Sequence, residues 1–270
     1  MSTPTDITII GLGILGIQQV TRETERALDR SNEVLFVDTG IATRAFLEQH
    51  CPRITDLYAE SYRVRGARLN AYHHMAARTV DAALDHGPVA FAMTGHPLVY
   101  AYAPPLIIDM ARLLGLTVQV LPGISALDCL FAELVLDPCT HGLQMYEATD
   151  LLLRRRPLQP DVPTLIWQVG NLETRLHTDR MSQPERFERF REHLLRFYPP
   201  QHLVTAYFAA PIPLMPSTVL RFPLLEITDH AATLHPGVTL YLPPVSTRPI
   251  EDAELLDQID SPEHLDRITR

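Results

Sequence analysis

Several features that mark specialised classes of protein are missing from this chain of 270 residues. Its three cysteines, Cys51, Cys129 and Cys139, are far apart and odd in number, which argues against a disulfide-rich scaffold and leaves no zinc-type spacing. No apolar run reaches the roughly 20 residues that a membrane-spanning helix needs. The first apolar stretch, residues 7–17, contains three glycines and follows no basic segment, so it is not typical of a signal peptide. We therefore expect a cytoplasmic protein with no membrane partner.

An excess of positive charge is missing as well. The chain has 23 basic and 32 acidic residues, which give a formal net charge of −9. Because sequence-independent nucleic-acid binding depends on neutralising phosphates with Lys and Arg, this balance argues against a nucleic-acid partner. What remains is an ordinary globular composition, 46% hydrophobic and 20% charged, long enough for one large or two medium domains.

Apolar strands and helical patterns alternate along the first part of the chain. Strands are predicted at 6–10, 33–38, 89–93 and 117–121, and helices from the Gly16 turn to about residue 29, at 69–84 and at 104–114. Because this alternation is typical of βαβ units, we expect a mostly parallel sheet with helices on both faces.

The pattern changes after about residue 123. A helix is predicted at 125–134, and strand candidates occur at 164–169, 203–208, 232–234 and 238–242. The 23 prolines are about 8.5% of the chain, against about 5% on average, and most fall at element ends. Ser182 and Glu185 have the spacing of a helix-capping box. One helical stripe follows, formed by Phe187, Phe190, Leu194 and Phe197.

These patterns predict an α/β protein of two domains. We place the first domain at residues 1–122 and the second, with more antiparallel character, at 123–250. The last segment, 251–270, has seven acidic and two basic residues, which suits a solvated tail or an edge helix.

A glycine pattern follows the first strand. Gly11-x-Gly13-x-x-Gly16 precedes a predicted helix, and Asp38 ends the next strand, 22 residues beyond Gly16. In a dinucleotide fingerprint the glycines let the backbone approach a ligand and an acidic residue binds a ribose hydroxyl, so the pattern indicates an adenosine-containing ligand. The alternative is a tight turn of the kind found in any α/β protein.

Two more glycine turns come at predicted strand ends. They are Thr94-Gly-His-Pro97 and Leu121-Pro-Gly-Ile-Ser-Ala126. Ligands of open α/β sheets bind at the carboxyl ends of strands, so two such turns favour a binding cleft. His96 has a simpler alternative, as a histidine that caps or packs against its own turn.

Tyrosines and arginines are concentrated between residues 56 and 72. Tyr58 and Tyr62 are four residues apart, as are Arg68 and Tyr72, so each pair shares a face if its segment is helical, and Gly66 allows a bend between them. Phenols and a guanidinium directed at one point suit a reaction in which an oxygen gains negative charge. The alternative is a surface helix with aromatic packing.

A second basic run, residues 154–156, is typical of a helix C-terminus.

Together these motifs resemble the tetrapyrrole methylase superfamily, the class III S-adenosylmethionine-dependent methyltransferases. The resemblance covers roughly residues 5–245 and rests on the Gly-x-Gly opening and the two glycine turns. Within the superfamily, the stretch from Tyr62 through Arg68 to Tyr72, followed by His-His-Met-Ala, is similar to the borosin peptide α-N-methyltransferases. Asp137-Pro138 and residues 144–150 are similar to the same branch.

The resemblance implies two α/β/α domains with the cofactor in the cleft between them, and a homodimer in which a helix of one subunit encloses the other's active site. The implied cofactor is S-adenosylmethionine, converted to S-adenosylhomocysteine. Its implied contacts are Gly11, Gly13, Thr94, His96, Val99, Tyr102, Ser125, Ala126, Gln168, Tyr207, Val238 and Thr239. Thr94 stands where the family commonly has tyrosine, and Ala59 stands where borosin enzymes usually have one.

The chemistry of an amide then assigns the roles of the tyrosine–arginine segment. A backbone amide is a poor nucleophile at nitrogen because its lone pair is delocalised into the carbonyl group. Methylation therefore needs the imidate or something close to it, with a base for the N–H and a cation near the oxygen. We assign Tyr72 as the base, Arg68 as the residue that stabilises the oxyanion and modulates the phenols, and Tyr62 as hydrogen-bond donor or proton acceptor. Because a sulfonium already activates the methyl group, we predict no metal.

The final residues suggest how a substrate is supplied. In fused borosin proteins the substrate peptide follows the enzyme, whereas residues 250–270 here are short and acidic, with no apolar run to methylate. We therefore expect a separate precursor peptide that docks on the enzyme, and with a homodimeric enzyme this gives a heterotetramer with two precursors.

Three alternative functions remain open at this stage. The first is a tetrapyrrole C-methyltransferase of the same superfamily, which would not need the pairing of Arg68 with Tyr72. The second is an NAD-dependent oxidoreductase, suggested by the Gly11–Gly16 pattern and Asp38. The third is a precursor-binding subunit that has lost catalysis.

Overall fold

Two five-stranded sheets follow one another along the chain in a computed structural model that describes residues 5–38, 40–212 and 215–270. The first sheet contains β1 (Ile7–Gly11), β2 (Glu33–Val37), β3 (Ile54–Asp56), β4 (Val89–Met93) and β5 (Val118–Leu121). The second contains β6 (Gln144–Glu147), β7 (Thr164–Trp167), β8 (Leu203–Phe208), β9 (Thr218–Pro223) and β10 (Thr239–Leu242). Each sheet is the centre of one lobe.

Helices connect the strands of both lobes. In the first lobe they are α1 (Arg22–Leu28), α2 (Ile41–His50), α3 (Leu57–Ser61), α4 (Arg68–His86) and α5 (Ala103–Leu113). The later helices are α6 (Ala126–Leu134), α7 (Pro138–His141), α8 (Ala148–Leu153), α9 (Glu188–Leu194), α10 (Ala253–Gln258) and α11 (Pro262–Ile268). Short 3-10 turns cover Gly16–Gln19, Val169–Asn171, Pro184–Phe187 and Leu224–Glu226.

All neighbouring strands of the first sheet are parallel, in the order β3-β2-β4-β1-β5. Strands β1 and β4 are covered on both faces, with Ile7, Ile9 and Ile10 fully buried, which explains their nearly continuous apolar sequence. The predicted parallel sheet is thereby confirmed. Because the strands run in one direction, the carboxyl ends of β1, β4 and β5 lie at the same end of the sheet.

The glycine pattern after β1 does not continue as a dinucleotide fingerprint requires. Gly16 has a φ of 58° and begins a 3-10 turn, so the helix starts only at Arg22, and the prediction of a helix directly after Gly16 is wrong. Strand β4 separates β1 from β2. The Asp38 carboxylate accepts hydrogen bonds from the Gly40 N–H (2.6 Å) and the Thr43 hydroxyl (3.3 Å) at the start of α2. A local bond at a helix end therefore occupies this carboxylate, and the ribose-binding interpretation of Asp38 loses its basis.

The second sheet has the order β6-β7-β10-β8-β9. Only β6 and β7 pair in parallel, and the other pairs are antiparallel, as the sequence predicts for this part of the chain. The strand predicted at 232–234 is wrong. Residues 228–234 form consecutive turns in which the N–H of Ala231 bonds to the carbonyl of Thr228, and that of Leu234 to Ala231. Leu234 is fully buried, and its burial in a turn produces the apolar signal that resembles a strand.

A phenylalanine-rich face packs the second lobe. Phe187, Phe190 and Leu194 are fully buried and Phe197 packs against them, which confirms the predicted stripe. The predicted capping box at Ser182 is wrong. The 3-10 turn begins at Pro184, its N-cap is Gln183 with no side-chain cap, and the Ser182 hydroxyl accepts a hydrogen bond from the Arg186 guanidinium at 3.0 Å.

The acidic segment forms two short exposed helices, α10 and α11, capped by Asp252 and Ser261. Both helices have exposed apolar side chains, among them Ile259 and Ile268.

The domain boundaries near residues 122 and 250 stay predictions. In the part of the chain that the structure describes, no helix is long and apolar enough to cross a membrane.

Candidate active site

Three glycines bring the ends of β1, β4 and β5 into backbone contact. A Cβ atom on Gly11 would lie 2.3 Å from the carbonyl oxygen of Gly95, and one on Gly123 would lie 2.7 Å from the Cα of Gly11. Gly13 and Gly95 form a β-bridge, in which the Gly95 N–H bonds to the Gly13 carbonyl at 2.8 Å. The three predicted glycine turns therefore form one surface, and at Gly11 and Gly123 no larger residue fits.

The turn after β4 holds three of the predicted cofactor residues. Thr94 is exposed, and His96 is half-buried. The Nδ1 atom of His96 accepts the N–H of Leu98 at 3.0 Å, and its carbonyl accepts the N–H of Val99 at 3.1 Å. His96 thus stabilises its own turn, as the simpler interpretation predicts, and it places Val99 beside the glycine surface.

Ser125 and Ala126 begin helix α6 next to Gly123. The Ser125 hydroxyl accepts the N–H groups of Leu127 and Asp128 and donates to the Asp128 carboxylate, which also accepts the Ser125 N–H at 2.7 Å. This capping box fixes the start of α6 at the glycine surface. The Ser125 side chain is 3% exposed and engaged within the helix, so a ligand would meet the main chain of this turn.

Four more predicted cofactor residues lie at the same end of three neighbouring inner strands of the second sheet, β7, β10 and β8. Thr239 pairs with Tyr207 across β10 and β8, Val238 directly precedes Thr239, and Gln168 directly follows β7. Tyr207, Val238 and Thr239 are all nearly inaccessible to solvent. The fourth residue, Gln168, lies at the surface of this end and is half-buried.

Contacts between Tyr100, in the segment that follows β4, and residues at the carboxyl end of β7 join the two lobes. The Gln168 side-chain amide donates to the Tyr100 carbonyl at 3.3 Å, and the Trp167 ring stacks on the Tyr100 ring with centroids 5.0 Å apart. Burial raises the pKa of Tyr100 to about 12, so its phenol keeps its proton at neutral pH. Tyr100 and Gln168 have φ values of 52° and 57°, a left-handed conformation that costs a residue other than glycine about 1–3 kcal/mol. Such strain is concentrated at functional sites.

One buried donor at this junction has no partner. The indole Nε1 of Trp167 has no hydrogen-bond acceptor among the described residues. An unsatisfied buried donor costs about 1–3 kcal/mol, so a polar group that reached it would be bound favourably. Trp167 was not among the predicted site residues, because a tryptophan at the end of a strand indicates only packing.

The tyrosines of the predicted catalytic segment form a continuous row of rings. Ring centroids are 4.8 Å apart for Tyr58 and Tyr62, 6.3 Å for Tyr62 and Tyr72, and 5.5 Å for Tyr72 and Tyr102. The His177 ring lies 4.7 Å from that of Tyr62. Tyr102 was predicted from the cofactor-binding pattern and Tyr72 from the catalytic one, and the structure brings the two into contact.

The pKa of Tyr62 is raised well above the usual value for a phenol. Burial is the largest cause, and the neighbouring Tyr72, which is hydrogen-bonded to it, adds to the shift. Arg68 acts in the opposite direction, as predicted, but its effect is smaller than that of burial. The Tyr62 hydroxyl therefore remains protonated at neutral pH.

The guanidinium of Arg68 is held by the second lobe. Its Nη1 atom donates to the Asn171 side-chain oxygen at 2.8 Å, and its Nη2 atom donates to the Thr174 carbonyl at 2.8 Å. The Asn171 amide in turn donates to the side-chain oxygen of Gln168 at 3.2 Å. A chain of hydrogen bonds therefore runs from Arg68 through Asn171 and Gln168 to the Tyr100 carbonyl. Sequence reasoning did not identify Asn171, because nothing in its neighbourhood indicates a partner 103 residues away.

Within residues 5–38, 40–212 and 215–270, no group of three or more His, Cys, Asp or Glu side chains is placed to hold a metal ion. The predicted absence of a metal stays a prediction.

Known proteins are similar to this sequence over most of its length. The family described as Tetrapyrrole (Corrin/Porphyrin) Methylases matches residues 6–210. A methyltransferase/type III borosin cyclic peptide precursor of Anomoporia bombycina is 32% identical over 251 residues, which are 92% of this chain and 29% of that protein. A methyltransferase/type I borosin precursor of Gymnopilus junonius is 31% identical over 262 residues, 93% of this chain and 60% of that protein. The chain therefore spans less than two thirds of the length of these relatives.

Solved structures share the architecture. The methyltransferase CobJ superposes with a TM-score of 0.67 at 18% identity, covering 92% of this chain and 97% of that chain. Uroporphyrin-III C-methyltransferase of Thermus thermophilus, complexed with S-adenosylhomocysteine, superposes with a TM-score of 0.61 at 18% identity, covering 88% and 96%. These likenesses confirm the predicted tetrapyrrole-methylase-like α/β fold.

Proposed function

This chain belongs to the tetrapyrrole (corrin/porphyrin) methylase family, and on that premise we propose that it is an S-adenosylmethionine-dependent methyltransferase acting on backbone amide nitrogens of a ribosomally made peptide. The observation that carries the proposal is the row of rings from Tyr62 through Tyr72 to Tyr102, with Arg68 held beside it. Relatives about 30% identical over most of this chain are named methyltransferase/borosin cyclic peptide precursors, which supports the peptide substrate.

The residues at the junction of the two lobes suit the cofactor. The main chain of the glycine surface and of residues 125–126, the side chain of Gln168 and the end of the second sheet formed by Tyr207, Val238 and Thr239 would hold it. The unpartnered Trp167 Nε1 and the strained backbone of Gln168 are the features that a polar ligand would use there. When bound, S-adenosylmethionine supplies an electrophilic methyl group on a sulfonium sulfur.

The tyrosine–arginine cluster makes the amide reactive. A protonated Tyr62 donates a hydrogen bond, and the neighbouring Tyr72, whose ring lies 6.3 Å from that of Tyr62, is assigned as the base for the amide N–H. Arg68 faces the developing negative charge on the amide oxygen, and its carbonyl and amide partners keep the guanidinium in place. Preorganised charge of this kind is worth about 10²–10³ in rate for each group.

We further propose that the enzyme is a homodimer and that the peptide is a separate molecule. Val64 and Leu69, which lie between Tyr62 and Tyr72, are 61% and 45% exposed, an apolar surface beside the cluster that a second subunit would cover. Light scattering of the 30.4 kDa chain tests the dimer, which requires twice this mass.

The function is tested by methylation of a synthetic peptide, read by mass spectrometry. Successive gains of one methylene mass on backbone nitrogens are expected with S-adenosylmethionine. Tyr72→Phe and Arg68→Ala should each reduce turnover by about 10²–10³ while S-adenosylhomocysteine affinity stays nearly constant.

Matched controls are Tyr146→Phe and Arg112→Ala, which change a tyrosine and an arginine outside the site and should leave turnover unchanged. Equal turnover in all four variants would refute the assigned roles.

The shared fold with CobJ and uroporphyrin methyltransferase favours a second candidate, methylation of a tetrapyrrole carbon. Activity with uroporphyrinogen III but with no peptide would select it.

A further inference from the structure

A cavity of about 820 Å³ lies on the second lobe, between helices α8 and α9 and the loop 173–175. The charged side chains that line it are Arg155, Arg175, Arg189, Arg196, Glu173 and Glu192. Four guanidinium groups against two carboxylates give this cavity a positive balance, in a chain whose formal net charge is −9. Its volume lies in the range of small-ligand sites, about 300–1,000 Å³.

Three of these arginines have no carboxylate partner. Arg189 pairs with Glu173 at 3.4 Å, whereas Arg155, Arg175 and Arg196 have no ion pair among the described residues. The residues on either side of Arg155 behave differently, because Arg154 and Arg156 both bind Asp150, at 2.6 Å and 2.7 Å. The basic run at 154–156 is therefore at a helix C-terminus, as predicted, but its middle member faces the cavity.

The backbone at the cavity wall is strained. Arg155 has a φ of 46° and Glu173 a φ of 59°. Arg155 follows the end of α8, where its N–H bonds to the Leu152 carbonyl and that of Arg156 to the Leu151 carbonyl, an arrangement in which glycine is the least strained residue. The chain thus has an arginine where the backbone favours glycine. Strain of this kind is typical of functional sites, and it favours a binding role for the Arg155 guanidinium.

The loop 173–175 also connects the cavity to the candidate active site. Thr174 and Arg175 line the cavity, and their carbonyl oxygens accept hydrogen bonds from the Arg68 side chain and the Arg68 N–H, at 2.8 Å and 2.9 Å. One short loop therefore separates the cavity from the tyrosine–arginine cluster. A peptide with one residue at the cluster would have neighbouring residues within reach of the arginines.

We propose that this cavity binds the carboxylate side chains of an acidic segment in the peptide substrate, next to the amides that are methylated. The proposal rests on the proposed function. Arginine presents a planar set of donors that binds carboxylates in two-point fashion, and the unpaired arginines offer such sets at a solvent-accessible wall. The overall negative charge disfavours an extended polyanion such as a nucleic acid, whereas short acidic runs fit the local positive charge.

The test compares two peptides that share one methylatable segment. One has flanking Asp and Glu residues, and the other has Asn and Gln at the same places. At low salt the acidic peptide should have a KM about tenfold lower with a similar kcat, and the difference should shrink at about 0.5 M salt, where charges are screened over a few ångströms.

Variants of neighbouring arginines give the matched control. Arg155→Gln and Arg196→Gln should each raise KM for the acidic peptide about fivefold, and Arg154→Gln, which removes only a surface ion pair with Asp150, should not. Arg155→Gly should raise KM as well, and by relieving the left-handed strain it should also raise the melting temperature by about 2–4 °C. If Arg155 had only a structural role, Arg155→Gly would raise the melting temperature without raising KM for the acidic peptide.

The outcomes distinguish this inference from the proposed function. Equal KM values for the two methylated peptides would overturn the inference and leave the methyltransferase assignment intact. Arginine-dependent binding of the acidic peptide, measured by fluorescence anisotropy, without any methylation would support the cavity and refute the proposed function. Tighter binding of a single-stranded oligonucleotide at the same arginines would overturn the peptide assignment.

Discussion

Removing the Asn171 side chain tests whether the second lobe positions Arg68, the arginine proposed to be catalytic. Asn171 accepts a hydrogen bond from Arg68 Nη1 at 2.8 Å and donates one to Gln168 at 3.2 Å. In Asn171→Ala both bonds are lost, while the Arg68 guanidinium keeps the carbonyls of Thr174 (2.8 Å) and Leu176 (3.4 Å). We therefore expect the guanidinium to stay in the loop but to lose its fixed orientation.

The two bonds differ in strength, and this difference predicts a split between rate and cofactor affinity. A hydrogen bond to a charged group contributes about 1.5–3 kcal/mol, which corresponds to a loss of about 10- to 150-fold in kcat if it is expressed in the transition state. The neutral bond to Gln168 contributes about 0.5–1.5 kcal/mol, so S-adenosylhomocysteine affinity should weaken by about 2- to 12-fold at most.

Single-turnover methylation and calorimetry measure these two quantities. Asn171→Asp is the informative control, since a carboxylate keeps an acceptor for Arg68 but neutralises its charge. It also loses the amide donor to Gln168, so it should lower kcat while lowering the melting temperature less than Asn171→Ala does. If Asn171→Ala kept its full kcat, or lost only cofactor affinity, the assignment of Asn171 as a positioning residue would be refuted.

Two further predictions concern stability. Gly11→Ala places a Cβ 2.3 Å from the Gly95 carbonyl and should lower the melting temperature by about 5–10 °C and abolish binding of S-adenosylhomocysteine, measured by thermal shift. Gly16→Ala, where a Cβ meets no atom within 4 Å, adds no steric clash and should cost only the strain of its left-handed φ of 58°, about 1–2 kcal/mol, and should leave S-adenosylhomocysteine binding intact; loss of binding in both variants would contradict the steric argument. Burial lowers the pKa of His193 below its usual 6.5, more than its bond to the Arg156 carbonyl opposes this, so the neutral ring is favoured in the folded state. The free energy of unfolding should therefore fall as pH drops below 6.5, and His193→Gln should flatten this dependence in urea titrations at successive pH values, whereas an unchanged slope would contradict it.

Elements in the cores of the sheets could be predicted almost to the residue. Strand β4 begins just after Pro88 and ends at the Thr94-Gly95 turn, and β8 coincides with its predicted range, 203–208. Strand β4 is a continuous apolar run, and β8 is apolar apart from Thr205 and buried at its four middle residues; a strand covered on both faces has this composition because its middle contacts no water.

The edge strands β3, β6 and β9 and the turns were not predictable in this way, whereas the edge strand β5 was predicted at 117–121 and occupies Val118–Leu121. Strands β3, β6 and β9 lie at sheet edges, and their residues are mostly half-buried or exposed, so their sequence has no continuous apolar run. Leu234 shows the opposite error, since an apolar residue buried in a turn resembles a short strand. Periodicity reports burial, and burial alone does not distinguish a strand from a turn packed against the core.

For the site, the sequence alone determined which chemical groups are available and near which turns they occur. Glycines at strand ends, and tyrosines with an arginine at helical spacing, are local patterns, and local backbone geometry is enough to interpret them. Only the tertiary structure decided the partners: Arg68 bound to Asn171, Gln168 to the Tyr100 carbonyl, and Arg155 beside a cavity of about 820 Å³. These groups meet because the two lobes pack against each other, with Ile14 and Tyr100 of the first against a buried cluster of the second, and contacts made between distant segments leave no periodic trace in either one.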